Sequence, residues 1–151
     1  MNPGHRPHQL TKTVLIPLPT QGFDPTEVAV PWQILTRSSI QVIFSSPTGQ
    51  SAEADPIMAT GKGLGLLKSS LMADYYRTYP ETVEAVVTAA LSLPSHFVRG
   101  PISLKRDSAT HLDRGFVVRD RNYLSARWPG DAHCFAHEYL KLIRKRGTIR
   151  D

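Results

Sequence analysis

Cysteine is nearly absent from this sequence. Cys134 is the one thiol in 151 residues, which excludes an internal disulfide framework and fits a reducing, cytoplasmic location. No run approaches the roughly 18 apolar residues of a helical membrane span. The opening "MNPGHRPHQLTK" lacks the apolar core of a secretory leader, so residues 1–12 read as a disordered lead-in. Charge is also modest, at 21% of residues, and the net excess of +5 is scattered along the chain. Its one local cluster, "RKRGTIR", sits at the C-terminal end, and residues 147–151 read as a basic tail. No basic helix with interleaved aromatics and no nucleic-acid motif occurs, so neither a nucleic acid nor a membrane is an expected partner. A Ser–His–Asp set in an elbow context is missing too.

What is present suffices for one domain, 13–146, with a real core: 40% of the residues are apolar. "TVLIPLP" (13–19) is a continuous apolar run, as in a strand buried on both faces. Asp24, Pro25 and Glu27 then mark a helix start: an N-cap acid, proline at the first helical position, and a carboxylate three residues after the cap. That helix should run to about Arg37 and be followed by a strand in "IQVIFSSP" (40–47). Together they make a βαβ unit with a right-handed crossover. Residues 48–71, with four glycines, read as a long loop. "GKGLG" lacks the spacing and the strand–helix context of a phosphate loop. "MADYYRTY" (72–79) reads as a helical turn and "PETVEAVVTAALS" (80–92) as a helix. "SHFVRGPISLKRDSATHLDR" is irregular. "GFVVRDRNYLSAR" (115–127) should form a β-hairpin turning at Asp120, Arg121 and Asn122. Residues 129–146 make an amphipathic helix with Ala132, Phe135, Ala136, Leu140 and Ile143 on one face.

The candidate site residues are few. Glu27 can complete a capping box with Asp24, or act as an acid at the mouth of a strand–loop–helix junction. His133 and His137, spaced i and i+4, could share a metal with Asp131, but two imidazoles do not close a site and no metal is expected. Cys134, inside the last helix on its polar side, reads as an inert or oxidisable thiol. Trp32 and Trp128 read as packing residues, and Pro129 and Gly130 as the opening of the closing helix.

The segments "GFDPTEVAVPWQIL", "QVIFSSP", "ADPIMATGKGLG", "DYYRTYPETVE", "FVRGP" and "RDSATHLDRGFVVRDRNYLSARWPGDAHCFA", in this order, resemble the ThiJ/PfpI family of the class I glutamine amidotransferase-like superfamily. The resemblance covers nearly the whole chain after residue 12. It implies an α/β fold, a flavodoxin-like three-layer sandwich, reduced here by loss of central βα units. Family members carry a Leu-Pro-Gly-Gly type turn and then a sharp elbow bearing cysteine followed by histidine. Neither is found here; the junction falls near Leu71.

Glu27 is the only catalytic element of the family that transfers, as the acid that would meet the elbow cysteine. The resemblance therefore implies a catalytically inactive pseudoenzyme with no cofactor and an unassigned small-molecule substrate. The alternatives are a hydrolase or glyoxalase/deglycase-like enzyme with a non-family nucleophile, or an interaction module pairing with a full-length relative. Loss of central strands should leave an edge of the first strand open, favouring weak stability or self-association there. Arginine at position 121, where the family often has glycine, implies a hairpin turn of another type.

Overall fold

The computed structural model describes residues 12–60, 83–103 and 105–146. The elements expected at 61–71, 72–79 and 80–82, the lead-in before Lys12 and the tail at 147–151 lie outside these residues. The described chain mixes helix and strand: β1 (Thr13–Pro17), β2 (Gln21–Phe23), α1 (Pro25–Arg37), β3 (Gln41–Ser45), β4 (Glu53–Ala54), α2 (Pro56–Thr60), α3 (Val83–Ala90), β5 (Val117–Asp120), β6 (Tyr123–Ala126) and α4 (Ala132–Arg146). It is an α/β protein with small sheets.

The βαβ unit forms as its sequence dictates. Asp24 adopts an extended backbone and its Oδ1 accepts the Thr26 N–H at 2.7 Å, while Pro25 opens α1 with its φ already helical. At the far end Ser38 donates back to the Leu35 carbonyl at 3.0 Å, and Ser39, at φ 60°, reverses the chain into β3. β1 and β3 then pair in parallel, from Thr13 opposite Gln41 to Pro17 opposite Ser45. Val14 on β1, Leu35 on α1 and Leu140 on α4 form the buried centre of the core, with Ile16, Ile34, Val42 and Ile143 packed around them. Lys12 ties the same corner together by donating from Nζ to the Ile143 carbonyl at 2.6 Å.

Three expectations are corrected. β1 is covered on one face only: Leu15, opposite Ile43 in the register, is 60% exposed. The βαβ unit and the C-terminal hairpin, which the reduced sandwich would join in one remaining sheet, stay apart. Among the described residues, β1–β3, β2–β4 and β5–β6 are three separate two-stranded sheets, so the outer edge of β1 has no strand partner there. Residues 53–60 are not loop. Asp55 repeats the chemistry of Asp24, its Oδ1 taking the N–H groups of Ile57 and Met58 at 2.8 and 3.2 Å to start α2 behind Pro56. Gly22, at φ 81°, gives β2 the left-handed residue that its irregular pairing with β4 requires.

The hairpin does place Arg121 in the left-handed region, at φ 49°. The turn is therefore strained and not of an arginine-friendly type. The Arg121 guanidinium makes a long, exposed contact with Asp120 and the Arg121 carbonyl accepts from Arg119 Nε at 3.4 Å, so little offsets that strain.

Two measurements follow from this packing. Arg121→Gly should raise stability by about 1 kcal/mol in urea unfolding, because glycine carries no Cβ penalty at positive φ. Leu35→Ala should cost about 3 kcal/mol, whereas the exposed Leu15→Ala should change stability by less than about 0.5 kcal/mol. Equal losses at the two leucines would contradict the one-sided core.

Candidate functional site

Two buried carboxylates shape the turn that carries the site. Asp131, fully buried, accepts from the Arg127 guanidinium through both oxygens, Nη2 to Oδ1 at 2.7 Å and Nε to Oδ2 at 2.9 Å. It also takes the backbone N–H groups of Phe116 and Arg127, each at 3.1 Å. Asp107, from 26 residues upstream, caps the start of α4 by accepting from His133 N at 3.2 Å and Cys134 N at 2.6 Å. Its second contact to His133 is to Nδ1 at 3.1 Å. With the chain pinned this way, Trp128 lies over Gly130, where an added Cβ would sit 2.3 Å from the indole Cζ2. The Arg106 guanidinium stands 5.4 Å from the same ring's centroid.

This turn, α1 and α4 enclose a cleft of about 280 Å³ lined by Glu27 and Pro31, by Ala126–Pro129, and by Ala132 and Phe135. Pro31 has no N–H to give to the Glu27 carbonyl one turn back, so the cleft wall includes an interrupted helical ladder. Glu27 is solvent-exposed, yet its carboxyl pKa is pushed up, chiefly by the protein around it and secondarily by Asp24. The capping box is only half made. Asp24 caps Thr26, but the Asp24 N–H donates no hydrogen bond to the Glu27 carboxylate among the described residues. Asp24 Oδ2 is buried with no hydrogen-bond partner among the described residues, as is Trp128 Nε1.

The other candidates are dispersed. Cys134 is half-buried and faces Gly115, where an added Cβ would lie 2.3 Å from its own, with Glu138 and Lys141 of the same helix near enough to act on it. Burial, followed by Asp107, Glu138 and Asp131, pushes the thiol pKa up despite the opposing pull of Lys141. Cys134 does not line the cleft that holds Glu27. His133 is committed to Asp107 and Asp131 to Arg127, so the His133–His137–Asp131 set is not assembled. No group of three His, Cys, Asp or Glu suited to a metal occurs among the described residues. Trp128 packs as expected but also walls the cleft. The residues that sequence reasoning overlooked are Asp107 and the Arg127–Asp131 pair. The pair's i and i+4 spacing around "WPG" was a readable signal; Asp107 had none.

No helix among the described residues is long and apolar enough to cross a membrane. Comparison of the chain with protein-family models, curated proteins and solved structures found no match.

The raised Glu27 pKa has a sign that can be measured. A carboxyl that binds its proton more tightly when folded stabilises the fold while protonated, and this contribution is lost as pH rises through the folded pKa. Glu27→Gln should therefore melt at or above the wild-type temperature at pH 7, by less than about 1 kcal/mol because solvent screens the site. The gain should vanish when both are measured below the ordinary glutamate pKa. A clear loss at pH 7 would show that the ionised carboxylate stabilises α1 instead.

Proposed function

We propose that the chain is a ThiJ/PfpI-like protein of reduced flavodoxin-like architecture that performs no covalent catalysis. The supporting observation is the separation of its acid from its thiol. Glu27 lines a cleft with no cysteine in its wall, while Cys134 packs against Gly115 with its pKa raised. Nucleophilic catalysis at sulfur requires a thiolate with a base or cation beside it, and burial next to carboxylates works against that. The cleft then serves as a binding remnant for a small molecule, in a reducing and cytoplasmic setting suggested by the single cysteine.

The test is turnover of methylglyoxal and of small esters by the full chain. The expected result is no activity above buffer for the wild type and for Glu27→Gln alike. Activity that disappears in Glu27→Gln would support the alternative, a hydrolase or glyoxalase/deglycase-like lyase using a non-family nucleophile. A genomic segment in frame near Leu71 and encoding a Pro-Gly-Gly turn and a Cys-His elbow would make this chain a splice or gene-model variant of an active relative.

A second reading is favoured by the open β1–β3 sheet. Parallel sheets are normally covered on both faces, yet Leu15 and Ile43 face solvent side by side, and the edge of β1 is unclaimed among the described residues. This surface suits an interaction module that pairs with a full-length relative or with its own kind. Co-purification with such a relative, lost in Leu15→Asp, is the expected result for that reading.

A further inference from the structure

Glu27 carries a charge that the rest of its cleft does not answer. Around it the wall is apolar or aromatic, with Pro31, Trp128, Pro129 and Phe135 among its residues. Arg127 also lines the cleft, but its guanidinium is held by both oxygens of buried Asp131. Arg106 stands against the Trp128 ring and does not line the cleft. The charge that acts on Glu27 is that of Asp24, a second carboxylate. Asp24 Oδ2 is itself buried with no hydrogen-bond partner among the described residues. From α4 the cleft receives Ala132 and Phe135, neither of them charged. A larger concavity, of about 520 Å³ between α3, the segment 97–102 and the β5–β6 hairpin, is different. Its charged lining residues pair within the chain, Glu84 with Arg99 and Arg127 with Asp131.

We propose that the Glu27 cleft takes a small organic ammonium ion, a protonated primary amine on a short apolar or aromatic body. The inference rests on the reading of this cleft as a non-catalytic binding site and names the chemistry of its ligand. A neutral apolar molecule seated here would strip water from the Glu27 carboxylate and return nothing, and an anion would meet two carboxylates. An ammonium group supplies both the missing positive charge and N–H donors for charge-assisted hydrogen bonds, the stronger kind. The aromatic walls suit such an ion too, because rings attract cations, and Trp128 already holds one guanidinium this way. Size limits the body of the ligand. At about 280 Å³ the cleft holds roughly nine waters at ~30 Å³ each, which is room for about that many heavy atoms. Pairing with the ion draws the raised Glu27 pKa back down, so uptake of the ligand and loss of the Glu27 proton are linked.

Titration of the full chain with benzylamine, benzyl alcohol and benzoate, bodies of one shape and different charge, tests it. The readout is the indole N–H signals of Trp128 and Trp32 in NMR. Benzylamine at neutral pH should shift the Trp128 signal saturably and leave the Trp32 signal in place, because Trp32 lies outside the cleft wall. Benzyl alcohol and benzoate should bind at least about tenfold more weakly. Glu27→Gln should lower the affinity for benzylamine by about tenfold without lowering that for benzyl alcohol, a split that lost packing would not produce. Affinity for benzylamine should rise as pH is raised through the Glu27 pKa, a range in which the ligand stays cationic. That rise should be absent in Glu27→Gln. Equal affinity for the amine and the alcohol, no effect of Glu27→Gln, or a Trp128 signal that does not move would each overturn the proposal. In a chain that turns over neither methylglyoxal nor esters, such a result leaves the non-catalytic reading standing, whereas turnover lost in Glu27→Gln would overturn both.

Discussion

The Asp131 carboxylate holds the C-terminal half of this protein in place. It is fully buried and accepts four hydrogen bonds, two from the Arg127 side chain and two from backbone N–H groups. A buried charge of this kind costs several kcal/mol in lost hydration and is tolerated only when its partners are well placed. Here they are. Arg127 in turn donates to the carbonyl oxygen of Pro101 and stacks 5.3 Å from the Phe116 ring centroid. One carboxylate therefore ties the entrance of β5, the exit of β6, the segment near Pro101 and the start of α4. Asp107 holds the same helix start from the other side. The cleft and the larger concavity share residues Ala126 and Arg127, so both depend on this junction.

The chemistry available at the cleft follows from what the junction leaves over. Its strongest donors are consumed by Asp131, which leaves Glu27 as an acid with a raised pKa and no cationic partner among the described residues. Such a group is suited to holding a proton or accepting a hydrogen bond from a bound molecule. The only thiol is turned towards Gly115, among carboxylates that discourage its ionisation.

Local signals in the sequence were the readable ones. Asp24 and Pro25 announce α1 because capping and a fixed φ act within three residues, and the hairpin is found at its expected turn for the same reason. The Asp55–Pro56 start of α2 carries an identical signature but lies in a glycine-rich stretch without apolar periodicity, so composition masked it. Solvent exposure of Leu15 and Ile43 was not legible, since an apolar run says nothing about whether a second layer exists to cover it. Asp107 was equally hidden: its hydrogen bonds to His133 and Cys134 span more than 25 residues, and no spacing rule links them. At the cleft, Glu27 was identified from its place in the helix start, whereas the walls around it come from α4 and the turn before it.

The central proposal is that Cys134 is not a working nucleophile, and the pH dependence of its alkylation in the folded protein tests it most directly. The account predicts slow labelling by iodoacetamide at neutral pH, with an apparent thiol pKa above that of free cysteine and a sharp rise in rate only on unfolding. Rapid labelling at neutral pH, with an apparent pKa below that of free cysteine, would contradict it by revealing a stabilised thiolate.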